Sequence, residues 1–244
     1  MRQKSYLLAT DLDNTLVGDP EALRSLFIFY KDEQFNPGLI YVTGRHLDSA
    51  LYLIEQESLP LPDIFITDVG TSIYHAPSWT EDKRWSAWVN ETWFPDDILS
   101  ISNNMDSLVQ QKLPHQKRIS YTIDPSQSHI LQVVQAQLKT KCIPHHLVYS
   151  SGRDVDILPE RSGKGKALEY VLREYTNHDV NLLIAGDSGN DAEMLSLDYP
   201  AVIVGNAQEE LNELVSRKLL YRAKGHYANG IKEAWNHFYP KIST

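Results

Sequence analysis

The sequence predicts a doubly wound α/β fold that carries a small inserted α+β module, and three observations point there. Short continuous apolar runs recur along the 244-residue chain and end in small or polar residues. Segments with helical apolar spacing lie between these runs. Through the middle of the chain the rhythm changes to an alternation of polar and apolar residues. Continuous apolar runs fit strands covered on both faces, as in a parallel sheet. Strand followed by helix, repeated, is the pattern of a doubly wound domain.

Taken in order, the first run is SYLLAT, which leads to Asp11 and Asp13, with a helix near Glu21. GLIYVT leads to Gly44, and HLDSALYLIEQ then places Leu47, Leu51 and Ile54 on one helical face. After a break at Pro60 and Pro62 comes the run DIFITDVG. From Pro77 to Asp154 the pattern differs. RISYTI alternates like a half-exposed strand, SHILQVVQAQLK is helical, and HHLVYSS and DVDILP read as two strands around a turn at Gly152. KALEYVLREY returns to the helical pattern with Leu168, Val171, Leu172 and Tyr175 on one face. VNLLIAG before Asp187 and AVIVGN before Ala207 complete the core. The expected division is a Rossmann-like core of residues 1–78 and 157–244, with an α/β module of residues 79–156 inserted into it.

Composition narrows the function. Apolar residues make up 42% and charged residues 23%, as in a globular domain. The formal net charge is −9, which disfavours nucleic acid and anionic lipid surfaces as partners but leaves room for a small phosphorylated substrate at a locally positive site. The single cysteine, Cys142, allows no intramolecular disulfide and fits a reducing cytoplasm. The apolar run behind Arg2 and Lys4 is too short for a signal peptide, and no stretch reaches the ~20 apolar residues of a membrane span.

Four groups carry the chemistry: DLDNT with Asp11 and Asp13, VTGR from Thr43 to Arg45, RSGKGKAL with Lys164, and GDSGND with Asp187 and Asp191. Three of them directly follow expected strands. In an open parallel sheet the carboxyl ends of the strands share one edge, where ligands bind. Clustered carboxylates without His or Cys at zinc spacing suit Mg²⁺, a hard cation. Thr43, Lys164 and a helix N-terminus at Gly44 then form a phosphate cradle. An aspartate can attack phosphorus, and a second carboxyl two positions on can protonate the leaving alcohol and activate water.

DLDNT resembles the DxDx(T/V) signature of the haloacid dehalogenase-like phosphatases, and the other three groups are similar to that superfamily's remaining motifs, in the right order. The inserted module resembles the α/β cap of the subgroup acting on small phosphorylated molecules. The resemblance implies that Asp11 is the nucleophile and a Mg²⁺ ligand. It makes Asp13 the general acid/base, with its backbone carbonyl on the metal. Thr43 would bond the phosphoryl group, and Lys164 would stabilise its charge. Asp187 would be a second carboxylate ligand, and Asp191 would support the metal. Asn190 would position Asp11 or the phosphate, and Gly44 and Arg45 would join Thr43 in binding substrate. A narrower resemblance, carried by DVGTSIYH, YSSGRDVDILPERSGKGKAL and VIVGNAQEEL, is to the sucrose-6-phosphate phosphatase family in its compact bacterial form. It implies hydrolysis of sucrose 6-phosphate, and it admits association with the synthase that makes that substrate. That family often reads Gly-(Ser/Thr)-Glu where this chain reads Gly70-Thr71-Ser72. Relatives acting on mannosylfructose phosphate also lack the glutamate, so that sugar and trehalose phosphate stay open.

Other residues have plainer readings. Arg45 would open the helix after Thr43, an unfavourable place for a cation, which a contact to substrate or to a carboxylate explains. Trp79, Trp85, Trp88 and Trp93 crowd one stretch. A sugar platform is one reading, but the helical spacing of Trp85, Trp88 and Val89 favours packing. Tyr74 and His75 face the same choice, while Tyr121, His145 and His146 are expected in cap packing or on its surface. Lys166 and the stretch EDKR from Glu81 to Arg84 are expected to be solvated. Two other activities share the constellation: a mutase or phosphotransferase on the same scaffold, and a phospho-acceptor signalling module.

Overall fold

The computed structural model describes residues 1–177 and 179–240; the last four residues of the expected core segment lie outside them. The strands, in chain order, are β1 (Tyr6–Thr10), β2 (Gly38–Val42), β3 (Ile64–Thr67), β4 (Ser72–His75), β5 (Thr80–Glu81), β6 (Val109–Gln110), β7 (Ile119–Thr122), β8 (His146–Ser150), β9 (Asp154–Leu158), β10 (Asn181–Gly186), β11 (Ala201–Ile203) and β12 (Leu220–Arg222). The helices are α1 (Pro20–Asp32), α2 (Leu47–Glu57), α3 (Lys83–Asn90), α4 (Pro95–Ser102), α5 (Ile130–Thr140), α6 (Lys164–Tyr175), α7 (Ala192–Leu195) and α8 (Tyr227–Phe238).

The larger sheet has the order β12-β11-β10-β1-β2-β3-β4-β5. It is parallel from β12 to β3, and β4 and β5 add an antiparallel edge. Alternate residues of each strand serve opposite layers. Leu8, Tyr41, Phe65 and Leu183 pack with α1, α2 and α8, whereas Leu7, Ile40, Ile66 and Leu182 pack with α3, α6 and α7. Both faces are therefore covered, which is why these strands read as unbroken apolar runs. Helix α1 is started by Asp19, whose carboxylate accepts from the amides of Glu21 and Ala22, with Pro20 at the first helical position.

A second, antiparallel sheet has the order β6-β7-β9-β8. One face carries Ile119, Tyr121, Val155 and Ile157 into a separate apolar cluster with α4 and α5. The other face presents Ser120 and Asp156, paired across β7 and β9. RISYTI was expected to be half exposed, but Ile119, Ser120 and Tyr121 are all buried. The reason is that the polar face of this strand is covered too, by the carboxyl edge of the larger sheet. Arg118 donates to Ser120 Oγ at 2.8 Å and to the Gly44 carbonyl at 2.7 Å, and it also bonds Asp156. Tyr121 packs, and its hydroxyl bonds Ser102 Oγ at 2.6 Å.

The stretch from Glu81 to Arg84 is not a solvated face throughout. Asp82 is buried and accepts from the amides of Arg84 and Trp85, which starts α3. It also accepts from Tyr175 Oη at 2.5 Å and from Tyr170 Oη at 3.2 Å. Burial pushes the Asp82 carboxyl up, but these hydrogen bonds outweigh burial and hold it below the usual range. Glu81 pairs with Lys117.

Candidate active site

Four loops leave the carboxyl edge of the sheet side by side. Asp11 follows β1, Thr43 follows β2, Asp68 follows β3 and Asp187 follows β10. Lys164, the first residue of α6, enters beneath them as the chain returns from the second sheet. The N-cap of α6 is Gly163 at φ +139, which has no side chain of its own to cap the helix. Glu193 supplies the missing acceptor, taking the amides of Gly165 at 3.0 Å and Lys166 at 3.4 Å. Gly70 approaches the same point so closely that a Cβ there would lie 2.2 Å from the Gly163 carbonyl oxygen. A side chain is excluded at this contact.

The Lys164 ammonium is 1% exposed as a residue and stands between two carboxylates. It donates to Asp11 Oδ1 at 2.7 Å and to Asp191 Oδ1 at 2.6 Å. Burial favours its neutral form, but Asp11 and Asp191 prevail and hold its pKa above that of an ordinary lysine. Asp191 Oδ2 accepts the amides of Asp187 and Ser188, at 3.0 and 3.1 Å. Both oxygens of Asp191 are thus engaged. Thr15 Oγ1 donates to Asp187 Oδ1 at 2.9 Å. The second oxygens of Asp11 and Asp187 take no hydrogen bond among the described residues.

Ligand atoms of Asp11, Asp187 and Asp191 lie within 4.8 Å of one another. Burial pushes the Asp11 carboxyl well above its usual range; Lys164 opposes the shift, and Asp191 and Asp187 add to it. Asp187 is pushed up to about 7, by burial first and then by Asp191. One ammonium does not balance three buried carboxylates, and the donor set is all oxygen. These features fit a hard divalent cation, with Asp11 and Asp187 offering the uncommitted oxygens.

The remaining expected residues are placed differently. The Asp13 carboxylate stands outside this cluster and is gripped by Arg45, with Nε to Oδ2 at 2.7 Å and Nη2 to Oδ1 at 2.8 Å. Arg45 thus contacts a carboxylate, one of the two partners expected for it. It does not open a helix: α2 starts at Leu47 with His46 as its N-cap, so the helix N-terminus expected at Gly44 lies three residues later. Thr43 is buried, and its hydroxyl accepts from the Arg45 amide at 3.1 Å. Asn190 does not reach Asp11; its side-chain oxygen accepts from Ser188 Oγ at 3.4 Å. Lys166 is partly exposed and donates to the Glu160 carbonyl at 2.8 Å.

Several residues at this edge had no site role in the sequence reading. Asp68 is buried, with φ +52, and faces Arg118 Nε at 3.8 Å and His115 Nε2 at 3.9 Å. Burial pushes the Asp68 carboxyl up, and Arg118 and His115 draw it back. On the far side, Glu210 Oε1 accepts from the Ser151 amide at 3.0 Å and from the Gly189 amide, tying the β8–β9 turn to the loop after β10. Burial of Asp68 and Asp156 comes from pairing between distant segments. The only local signal was a charged residue in an otherwise strand-like run. The tryptophans do not form a platform. Trp85 is buried in the core and donates Nε1–H to the Gly70 carbonyl at 3.2 Å, which fixes the turn before Ser72. Trp79 packs on Phe65, Trp93 bonds the Gln116 carbonyl, and Trp88 is exposed beneath Arg161.

The family model described as sucrose-6F-phosphate phosphohydrolase matches residues 4–239. The chain belongs to that family. A solved sucrose-phosphatase from Synechocystis sp., in complex with sucrose and phosphate, is similar to this member at 36% identity with a TM-score of 0.88, over 96% of this chain and 98% of the other. The mannosylfructose-phosphate phosphatase of Agrobacterium fabrum is 32% identical over 95% of this chain and 96% of its own length. Sucrose-phosphatase 1 of Nicotiana tabacum is 32% identical over 95% of this chain, which spans 59% of the tobacco protein. The sucrose-6F-phosphate phosphohydrolase family thus accounts for the core, the second sheet and their connection, and its haloacid dehalogenase-like fold agrees with the expected class.

Proposed function

We propose that this protein is a Mg²⁺-dependent phosphatase that hydrolyses sucrose 6-phosphate to sucrose and phosphate through an aspartyl-phosphate on Asp11. The observation that carries the reading is the buried cluster at the carboxyl edge of the sheet, where Lys164 bridges Asp11 and Asp191. In this reading Asp11 attacks phosphorus, and the bond from phosphorus to the sugar oxygen breaks. Asp13 gives its proton to the leaving alcohol and then takes one from the water that releases phosphate and restores Asp11. Thr43 and the neighbouring amides hold the phosphoryl oxygens, and Lys164 offsets their charge. Mg²⁺, held by Asp11, Asp187 and the Asp13 carbonyl with Asp191 behind, would neutralise the carboxylates and polarise the phosphoryl group. Arg45 keeps Asp13 in place rather than touching the sugar, and Asn190 stands by the metal loop.

The division that goes with this reading is a core of residues 1–78 and 157–244 and a cap of residues 79–156. Within the cap segment, α3 rests on the core through Trp85 and Val89. The cap sheet turns its polar face, with Arg118, Ser120 and Asp156, toward the site, where it would close over the sugar and exclude water. No helix of the described residues is long and apolar enough to cross a membrane, and we place the enzyme in the cytoplasm. A synthase that makes the sugar phosphate is a natural partner, since its product is this substrate; cross-linking the two in extract checks that.

Mannosylfructose phosphate is the second reading, favoured by Ser72 and by the near full-length match to the Agrobacterium enzyme. Phosphate release with Mg²⁺ from sucrose 6-phosphate, mannosylfructose phosphate, trehalose 6-phosphate and glucose 6-phosphate separates them. A preference for sucrose 6-phosphate supports the first reading. A preference for mannosylfructose phosphate moves the assignment to the second. Transfer to another sugar without release of phosphate refutes both.

A further inference from the structure

Asn14, directly after Asp13, has a left-handed backbone at φ +63. The following amides, of Thr15, Leu16 and Val17, all turn back to the Leu12 carbonyl. The Asn14 carbonyl points elsewhere, and Asn206 Nδ2 donates to it at 2.7 Å across 192 residues of sequence. Asn206 sits in the turn after β11. Its Oδ1 accepts from the Tyr227 amide at 2.7 Å, at the first residue of α8, which is itself left-handed at φ +50. The Tyr227 ring closes the far end of the same loop, since a Cβ on Gly18 would fall 2.4 Å from it. The loop from Asp13 to Gly18 therefore leans on α8 through one side-chain amide and one ring.

The chemistry of this contact is selective. A donor must face the Asn14 carbonyl and an acceptor must face the Tyr227 amide, and a carboxamide offers both. A carboxylate would keep the acceptor, lose the donor and set a negative charge against a carbonyl oxygen. Holding the Asn14 carbonyl fixes the direction in which the chain leaves Asp13. Arg45 grips the Asp13 carboxylate from the other side.

We infer that Asn206 is a positioning residue for Asp13. It anchors the left-handed turn at Asn14, so that the Asp13 carboxyl meets the leaving oxygen in the right direction. The inference rests on the reading of Asp13 as general acid/base. General acid–base catalysis contributes ~10²–10⁴-fold, and a misdirected acid forfeits part of that.

The test compares first-turnover release of the alcohol from sucrose 6-phosphate with release of p-nitrophenol from p-nitrophenyl phosphate, whose leaving group needs little protonation. Asn206→Asp and Asn206→Ser are measured beside Asp13→Asn, with thermal midpoints to confirm folding. The expected result is a loss of roughly tenfold on sucrose 6-phosphate for both Asn206 variants, a much smaller loss on p-nitrophenyl phosphate, and a KM close to the parent value. An equal loss on both substrates, or none, overturns the role of Asn206. If Asp13→Asn itself slows both substrates equally, the acid–base reading of Asp13 falls first and the inference with it.

Discussion

Replacing Lys164 with methionine keeps an unbranched chain of similar reach and removes the ammonium buried among Asp11, Asp187 and Asp191. Two charge-assisted hydrogen bonds disappear, to Asp11 and to Asp191. The residue is buried, so water does not replace them. Breaking a buried ion pair by deleting one partner costs about 3–5 kcal/mol. For a domain of this size each kcal/mol shifts the midpoint by about 2–4 °C, so the expected fall is roughly 6–20 °C. The cost depends on pH in a direction that follows from the site. Asp11 is already raised by burial, and losing Lys164 raises it further. The folded state then binds more protons than the unfolded state, so its stability declines as pH rises. Lys164→Met should be close to the parent at about pH 5 and far below it at about pH 8, measured by thermal unfolding in chelator. Added Mg²⁺ should recover part of the deficit, because a divalent cation serves the same carboxylates. A variant as stable as the parent at about pH 8 would refute the account of Lys164 as the charge that holds the cluster together.

Chelation of the parent enzyme should remove activity. The stabilisation by Mg²⁺, read from thermal midpoints, should be larger at about pH 8 than at about pH 5, because the contribution of Asp187, at about 7 when folded, is lost as pH rises through that value. Equal stabilisation at both pH values would contradict this. Trp85→Phe leaves the Gly70 carbonyl without its indole donor in a buried turn and should cost about 1–3 kcal/mol in urea unfolding; a cost near zero would show that the turn is held otherwise. Glu210→Ala frees the β8–β9 turn from the loop after β10. It should raise KM for the sugar phosphate on the order of tenfold, with faster amide exchange at Ser151 and Gly189, whereas an unchanged KM would remove that contact from cap placement.

The parallel strands were legible because both of their faces are covered, which leaves no polar alternation to obscure them. Asp11, Thr43, Lys164 and Asp187 were legible for a local reason, since each stands at the end of a strand or the start of a helix in a short motif. Strand β12, with three residues, is too brief to show a period. The strand at RISYTI misled because Arg118 and Ser120 look solvated one by one, and their partners are distant in sequence: Asp156 for both, and the Gly44 carbonyl for Arg118. Asp82 looked like part of a charged face for the same reason: Tyr170 and Tyr175, its partners, lie on α6. Arg45 was half legible. A contact to substrate or to a carboxylate was expected from a helix start that in fact lies at Leu47, and that the partner is Asp13 depends on how two loops pack at the sheet edge.

The most direct test of the central claim is the covalent intermediate. Asp13→Asn is mixed with sucrose 6-phosphate and Mg²⁺, quenched in acid and digested, and the peptides are read by mass spectrometry. The account predicts one added phosphoryl group on the peptide that carries Asp11, absent when Asp11→Asn is combined with the first change. A phosphoryl group on any other residue, or turnover at the parent rate by Asp11→Asn, would contradict it.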